Sequence, residues 1–476
     1  MAANLVVVLS PVRAGRYNPG LASQKFIYNK LLYRQRFNRA NQHASTTQPL
    51  ALGGGGGGVT AAVFFLAATA LVSPALAARN CRNLTIPVHI TAANTDLEDD
   101  FPTPQTDVEF TDFFLSNQPH GRQPPDTTTP PKTRNVTGDY RLAATYCEPS
   151  SSSSSSSGSG NNNTTTTPNV LQILTHGIGF GRDYWDFAYH DYKYSYVNHA
   201  LAHGYATLAW DRLGFGNSTR LDPVHEVQLP LEVEALRELT RLLRAGEVNL
   251  HLDTDTDTDS ETTNTTKTKT RTRKFDKIVH VGHSLGSTVV YALAAVDKTS
   301  LDGLVLTGWS TVTDFMTAGF IGLYLEQARP KGGHLAGYAP GYVVVGDVTA
   351  LHTDFFAPGA YDPDILAPAY AATQPTTVGE IATGSYMANT KLEVTVPSLV
   401  ITGQKDLIFC GTNCYGTDDP KLHSLLQLVT SSFPLANPPV LPITVPGSGH
   451  GLNLDNNHEY TYGEISNFLM SNGLSP

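Results

Sequence analysis

The 476-residue chain is predicted to fold as an α/β protein with a mostly parallel central sheet and helices on both faces. Two observations support this. From Asn169 onward, short apolar strand patterns alternate with stretches of helical periodicity. Within this region, residues 278–296 read as a strand, then Gly282-His283-Ser284-Leu285-Gly286, then an apolar helix. A G-x-S-x-G pentad between strand and helix places a serine at the tip of a tight turn.

The charge of the chain is distributed unevenly. The formal net charge is −10, yet residues 1–77 carry seven Lys or Arg and no acidic residue, which leaves 25 basic and 42 acidic residues in the remainder. A nucleic-acid-binding surface needs clustered Lys and Arg to neutralise phosphates. The acidic body of the chain therefore argues against a nucleic-acid partner.

Residues 1–78 combine a basic extension with an apolar segment. Residues 1–58 end in six glycines and have no counterpart expected in a globular domain. The following run, VTAAVFFLAATALVSPALA, has the character of a signal-peptide core with an Ala-x-Ala cleavage site, behind an unusually long leader. We favour a cleaved secretory signal and a secreted, extracellular protein. A membrane anchor at residues 59–78 is one alternative, since the run is near the ~18–20 residues that span a bilayer. A mitochondrial presequence is the other.

Sequons and cysteines fit the secretory route. Asn-x-Ser/Thr sequons, which predict a glycoprotein, occur at Asn83, Asn135, Asn162, Asn163, Asn217 and Asn264. The four cysteines form neither a Cys-x-x-Cys motif nor a zinc-type Cys/His cluster, so no metal is expected. An even cysteine count in a secreted chain favours two disulfides. We prefer Cys81 with Cys147 and Cys410 with Cys414, although three connectivities are possible.

Low-complexity inserts divide the body of the chain. Residues 79–149 are predicted to be a β-rich N-terminal portion, because NLTIPVHITAAN and GDYRLAATYCEP show strand alternation. Residues 150–168 are a Ser/Thr/Asn tract that cannot bury enough apolar surface to order. The core is expected in two parts, residues 169–309 and 393–476. A second disordered insert is expected at 251–274 in the first part.

The core elements follow in order. Strands are read from six mainly apolar runs: NVLQILTHG, GYATLAWDRLG, IVHV, LDGLVLTGW, VPSLVITGQKD and VLPITVPGSGH. The aromatic-rich residues 184–203 are predicted to form a helix that ends at Gly204. Residues 231–245 are the most regular helical pattern, with Pro230 at the start and Gly246 after the end. A C-terminal helix is predicted to begin near Asn457.

Residues 310–392 do not follow the alternation. They are rich in Gly, Pro and aromatic residues and fall between two predicted sheet strands: the aromatics include Tyr338, Tyr342, Phe355, Phe356 and Tyr361. We expect a cap, or lid, over the mouth into which Ser284 points, supplying an apolar substrate pocket. An irregular structural insertion is the alternative.

Three residues in the order Ser284, Asp406, His450 provide a nucleophile, an acid and a base. Asp406 ends a buried strand, where its carboxylate can orient a histidine. His450 lies in a Gly-rich loop after the last strand, where it can take the serine proton and return it to the leaving group. Asp418 and Asp419 are reserve candidates for the acid.

An oxyanion hole needs two backbone N–H groups aimed at the developing charge. We assign one to Leu285, at the N-terminus of the helix that follows Ser284, and the other to Ile178, after His176-Gly177. The small residues of these motifs, Gly177, Gly282 and Gly286, allow the close backbone approaches that such turns require.

The motifs LTHGIGFGRDYWD, WDRLGFGNS, GHSLG, ITGQKD and GSGHG resemble the α/β-hydrolase superfamily (AB hydrolase-1 type), and the body of the chain looks like secreted fungal serine hydrolases. The resemblance covers residues 79–476 apart from the inserts. It implies an α/β-hydrolase fold, Ser284, Asp406 and His450 as the triad, and no cofactor. A serine where related dehalogenases carry aspartate implies acyl transfer.

The predicted function is a secreted serine hydrolase that cleaves a small-molecule carboxylic ester through an acyl-enzyme. The same triad would serve an amidase, a peptidase or a lactonase. A catalytically silent hydrolase-fold binding protein is the alternative from another class. Substrate identity and oligomeric state are not encoded in these patterns.

Overall fold

The computed structural model describes residues 79–97, 101, 103–117, 132–150, 168–250, 273–384 and 390–476. The predictions for residues 1–78, for residues 151–167 and for residues 251–272 lie outside these ranges. Within the described ranges, no helix combines the length and the apolar character that crossing a membrane requires.

The predicted parallel sheet is confirmed. Within the described residues, eight strands form one sheet in the order β1-β2-β4-β3-β5-β6-β10-β11. Pairing is parallel from β4 through to β11, and β1 and β2 are antiparallel at one edge. The strands are β1 (Arg79–Thr95), β2 (Thr133–Pro149), β3 (Val170–Thr175), β4 (Ala206–Trp210), β5 (Lys277–His283), β6 (Gly303–Thr307), β10 (Ser398–Gly403) and β11 (Leu441–Val445).

The N-terminal β-rich portion is an edge of this sheet rather than a separate unit. Strands β1 and β2 pair along their whole length, and β2 also pairs with β4. Cys81 lies directly opposite Cys147 in this register, and the two form a disulfide. The second disulfide joins Cys410 to Cys414, so both bonds follow the pairing preferred from the sequence.

Helices cover both faces of the sheet. They are α1 (Asp107–Asn117), α2 (Tyr196–Ala202), α3 (Leu229–Ala245), α4 (Leu285–Val296), α5 (Met316–Gly322), α6 (Val348–Phe355), α7 (Leu366–Ala371), α8 (Val378–Thr383), α9 (Leu407–Cys410) and α10 (His458–Ser471). Buried side chains of α3 and α4 form one core with the sheet, and those of α2 and α10 form a second. Helices on both faces explain why burial along the central strands is continuous rather than alternating.

Two helix predictions have different outcomes. Helix α3 agrees with the prediction: Pro230 is in its first turn, and Gly246 caps its end in the left-handed conformation at φ 72°. The predicted helix at residues 184–203 is wrong over most of its length. A short 3₁₀ turn at Arg182–Trp185 is followed by three residues with positive φ at 190–192, and only α2 is helical.

Residues between β6 and β10 form an insertion with its own small sheet. Strands β7 (Glu326–Gln327), β8 (Tyr342–Val344) and β9 (Thr376–Thr377) pair antiparallel, with helices α5 to α8 around them. The aromatic residues Tyr338 and Tyr342 pack with Phe215 in a separate apolar cluster. The insertion is thus packed against the main body of the fold through a shared apolar cluster.

Candidate active site

Ser284 occupies a strained turn between β5 and α4. Its φ of 54° and ψ of −121° are unusual for a residue with a side chain. A Cβ atom on Gly282 would lie 2.6 Å from the Ser287 nitrogen, and one on Gly286 would lie 2.5 Å from the His176 carbonyl oxygen. Strand and helix approach too closely for any residue but glycine at these two positions. The turn presents Ser284, 8 % exposed, at the N-terminus of α4.

Asp406 and His450 are brought together at the carboxyl ends of β10 and β11. The two side chains are fully buried, and His450 Nδ1 lies 2.8 Å from Asp406 Oδ2. The same carboxylate accepts hydrogen bonds from Thr402 Oγ1 at 2.6 Å and from the Phe409 N–H at 3.0 Å. Burial acts to raise the pKa of Asp406, but His450 and these hydrogen bonds outweigh it and lower the pKa below its ordinary value.

An ionised Asp406 determines which nitrogen of His450 carries the proton. A carboxylate can only accept, so Nδ1 donates and Nε2 is left with a lone pair. His450 Nε2 has no hydrogen-bond partner in the described part of the chain. The structure therefore joins His450 to Asp406 but contains no hydrogen bond from Ser284 Oγ to Nε2. A hydrogen bond of this kind is commonly long before substrate binds.

The loop that carries His450 is fixed by its neighbours. The Gly451 N–H donates to the Phe355 carbonyl oxygen at 2.8 Å. The rings of His283, Phe355 and Phe409 lie with their centroids 5.0, 5.4 and 5.9 Å from that of His450. The imidazole is thus enclosed by aromatic side chains that restrict its rotation.

The reserve acids Asp418 and Asp419 are exposed, and neither contacts His450. The disulfide Cys410–Cys414 closes the turn that begins after Asp406, and the Cys414 N–H donates to the Gln404 carbonyl oxygen at 2.8 Å. This cross-link keeps the Asp406 turn compact.

The segment predicted to complete the oxyanion hole lies against Ser284. A Cβ atom on Gly177 would be 2.7 Å from Ser284 Cβ, and Ile178 and Leu285 line the same pocket as Ser284. Neither the Ile178 N–H nor the Leu285 N–H donates to another of the described residues. Both N–H groups thus remain available to a ligand.

A pocket opens beside Ser284, with about 710 Å³ of empty space including its mouth. Its wall is mainly apolar and combines core residues with residues from the 310–392 insertion: Ile178, Leu285, Met316, Phe320, Leu323, Phe355, Ile381, Ile408 and Phe409. Of the five aromatic residues singled out in that insertion, only Phe355 lines it. Glu380 is the single charged residue among the described residues that line the pocket.

Two buried charged features near the site were missed by sequence reasoning. Arg212 is fully buried and contacts Glu232 and Glu380, which lie 20 and 168 positions away in the chain. Asp354 is also buried, and its two oxygens have no hydrogen-bond partner among the described residues. Burial, together with the charge of Asp406, raises the pKa of Asp354 to about 8. Only Arg212, within the WDRLGFGNS motif, carried a sequence signal.

The amino-acid sequence was compared with models of known protein families and with curated proteins. Residues 172–461 match the model of the Alpha/beta hydrolase family. No curated protein sequence matches the chain.

Three solved structures are similar. A thermophilic esterase from Thermogutta terrifontis is 16 % identical, with 71 % of this chain and 96 % of that chain covered and a TM-score of 0.43. A monoacylglycerol lipase from Paleococcus ferrophilus is 15 % identical, with 64 % and 96 % covered and a TM-score of 0.41. An alpha/beta hydrolase fold protein from Chitinophaga pinensis is 13 % identical, with 69 % and 94 % covered and a TM-score of 0.41.

Proposed function

The chain belongs to the alpha/beta hydrolase family and is a hydrolase, and on that premise we propose that it cleaves carboxylic esters through an acyl-enzyme formed on Ser284. The observation that carries the proposal is the buried Asp406–His450 pair, whose Nε2 atom is unpartnered within the described residues. Ser284 is the nucleophile, His450 the general base and acid, and Asp406 the residue that orients the imidazole.

The reaction proceeds in two halves. Ser284 Oγ comes within about 2.6–3.2 Å of His450 Nε2, gives up its proton to that atom and attacks the acyl carbon. The imidazolium then donates the proton to the alcohol oxygen as the ester bond breaks. In the second half, water loses a proton to His450 Nε2 and its oxygen bonds to the acyl carbon. The bond from this carbon to Ser284 Oγ then breaks, the imidazolium returns the proton to Ser284 Oγ, and the carboxylic acid leaves. Asp406 stays ionised throughout and stabilises the imidazolium.

The negative oxygen of each tetrahedral intermediate is assigned to the N–H groups of Ile178 and Leu285. Both residues line the pocket with Ser284, and neither N–H has another partner among the described residues. The N-terminus of the twelve-residue helix α4 adds a favourable partial charge at this point. Fixed donors in a site with little water stabilise an oxyanion more than water does.

The pocket favours an uncharged substrate with an apolar group next to the ester. Its wall is mainly apolar, and its one carboxylate, Glu380, is paired with Arg212. Among the described residues that line the pocket, none is a cation that could bind an anionic substrate. Residues 310–392 act as a cap, because Met316, Phe320, Leu323 and Phe355 supply much of the wall.

Secretion is the second part of the proposal. Disulfides persist in oxidising compartments, and the two disulfides of the chain fit such a compartment. The sequon residues Asn83, Asn135 and Asn217 are exposed, as glycan attachment requires. Expression in a secreting host should give extracellular protein that begins after Ala77 and loses mass on glycosidase treatment. Cell-associated protein that retains residues 59–77 would instead indicate a membrane anchor.

Turnover of short-chain nitrophenyl esters tests the catalytic part. The wild type should hydrolyse them, and Ser284→Ala should lose turnover while keeping the thermal unfolding temperature of the wild type. A Thr288→Ala variant is a suitable control, because Thr288 also lines the pocket and has no role in the proposed chemistry. Wild-type protein that cleaves amides or lactones but no ester would overturn the ester assignment, and equal turnover by Ser284→Ala would overturn the nucleophile.

A further inference from the structure

The carbonyl oxygen of Gly177 accepts hydrogen bonds from two buried side chains, neither of which lines the pocket. It accepts from His176 Nδ1 at 2.9 Å and from Arg212 Nη2 at 3.4 Å. The tautomer of His176 follows from its other nitrogen. His176 Nε2 accepts from the Arg212 backbone N–H at 3.1 Å, so the proton is on Nδ1. Burial, and then the nearby charge of Arg212, lower the pKa of His176 well below its ordinary range and keep the ring neutral.

The two hydrogen bonds to the Gly177 carbonyl oxygen also determine where the Ile178 N–H points, because both groups belong to one peptide bond. The C=O and N–H of a planar trans peptide point in opposite directions. Among the described residues the only cis peptide bond is Asn437–Pro438, so the Gly177–Ile178 bond is trans. A carbonyl turned toward His176 and Arg212 therefore turns the Ile178 N–H away from them.

We propose that His176 and Arg212 are positioning residues, which aim the Ile178 N–H at the oxygen that becomes negative during hydrolysis. The inference rests on the function proposed above. Two residues outside the triad thus determine the direction of one oxyanion-hole donor, the Ile178 N–H. Neither side chain touches the substrate in this account. Their effect on the reaction passes through the Gly177–Ile178 peptide.

Arg212 is itself fixed by a buried cluster that reaches the pocket wall. Its Nη1 donates to Glu232 Oε1 at 2.6 Å and to Glu380 Oε1, and all three side chains are almost fully buried. Glu380 Oε2 accepts from Thr376 Oγ1 at 2.9 Å and from the Thr377 N–H at 3.0 Å. Because Glu380 also lines the pocket, the cluster ties helix α8 to the oxyanion-hole peptide.

The two carboxyl groups of the cluster are not equivalent. Burial raises the pKa of Glu232 well above its ordinary value; Arg212 opposes this rise and Glu380 adds to it. Glu380 Oε2 has its own hydrogen-bond donors in Thr376 and Thr377, whereas Glu232 Oε2 has no hydrogen-bond partner among the described residues. Glu380→Gln alters the member of the cluster that joins helix α8 and the pocket wall to Arg212, whereas Glu232→Gln alters the member on helix α3, away from the pocket wall. The two substitutions form a matched pair on one guanidinium nitrogen.

The first test compares His176→Leu with His176→Asn. Leucine removes both ring nitrogens, whereas asparagine retains an N–H donor at the δ position. His176→Leu should lower kcat for a nitrophenyl ester by at least about tenfold, toward the ~10²–10³ lost when an oxyanion-hole donor is removed, with little change in KM. His176→Asn should recover part of kcat. Affinity for a trifluoromethyl ketone, whose serine adduct carries the same oxyanion, should fall in parallel with kcat.

The second test compares Glu380→Gln with Glu232→Gln. Glu380→Gln should lower kcat and trifluoromethyl ketone affinity more than Glu232→Gln does. A purely structural role of Glu380 would lower the unfolding temperature without this difference in kcat and affinity between the two variants. Unchanged kcat in folded His176→Leu would overturn the inference. If that variant does not fold, equal kcat in the two glutamine variants would overturn it. Wild-type protein without ester turnover would refute the proposed function itself, a result separate from these comparisons.

Discussion

Asp406 accepts hydrogen bonds at both of its oxygens, and asparagine can accept at only one. Oδ1 takes the Phe409 N–H, and Oδ2 takes both Thr402 Oγ1 and His450 Nδ1. In Asp406→Asn, an amide oxygen at the first position keeps the Phe409 bond. The amide nitrogen then donates to the threonine hydroxyl and to His450 Nδ1. Every group is satisfied, but the proton of His450 is forced onto Nε2, where it blocks acceptance from Ser284.

The opposite orientation of the asparagine amide keeps the proton of His450 on Nδ1, but it is less favourable in free energy. It places the NH₂ group against the Phe409 N–H and leaves a buried donor unsatisfied, which costs about 1–3 kcal/mol. Since 1.4 kcal/mol corresponds to a factor of ten, this penalty leaves between about a sixth and less than a hundredth of the molecules with the productive tautomer. The carboxylate charge that stabilises the imidazolium is lost in addition. We therefore expect kcat to fall by about 10⁴, the loss typical when asparagine replaces the acid of such a triad.

The assay is steady-state ester hydrolysis at neutral pH, with thermal unfolding as the control for folding. Asp418→Asn and Asp419→Asn are matched controls, because both aspartates are exposed in the same loop region and neither contacts His450. These variants should retain wild-type kcat. A loss below about tenfold in Asp406→Asn, or an equal loss in either control, would refute the assignment of Asp406 as the orienting acid.

Three further predictions concern stability. The pKa of Asp354 is raised to about 8 in the folded protein, from a value near 4 in the unfolded chain. The protonated carboxyl group therefore contributes fully to the free energy of unfolding below pH 4, and this contribution is lost as the pH rises to about 8. Asp354→Asn should gain stability over the wild type across this range, by up to about 5 kcal/mol at 1.36 kcal/mol per pKa unit, and a pH-independent difference in unfolding temperature would contradict this. Gly286→Ala should lose turnover and at least about 1–3 kcal/mol of stability, because its Cβ would collide with the carbonyl oxygens of Thr175 and His176; an unchanged unfolding temperature would be the contrary result. Removing the Cys81–Cys147 disulfide, with a sequence separation of 66, should cost about 4 kcal/mol and more than removing Cys410–Cys414, with a separation of 4. The reverse order in chemical denaturation would be inconsistent with loop-closure entropy.

Local patterns were sufficient to predict the sheet and the three proposed catalytic residues. Strand runs of five to seven apolar residues, each followed by a glycine-rich turn, indicate where parallel strands end. Ser284, Asp406 and His450 each follow such a run. Their spacing along the chain therefore predicted that they share one edge of the sheet.

Long-range contacts explain the failures. The predicted helix at 184–203 is interrupted where Asp186 pairs with Arg79 at 2.6 Å and accepts from Ser195 Oγ at 2.7 Å. Those partners lie in β1 and at the start of α2, so a local pattern contains no sign of them. Arg212 and Glu380 are likewise charged residues that a sequence pattern would assign to the surface. Their burial depends on pairing across 168 positions.

Labelling with a fluorophosphonate, followed by peptide mass spectrometry, tests the central claim most directly. The reagent reacts much faster with a serine hydroxyl that a neighbouring base activates than with an ordinary hydroxyl group. We expect one label per chain, located on Ser284, and no label in His450→Ala. A label on another residue, or wild-type protein that takes no label, would contradict the assignment of Ser284 as the nucleophile.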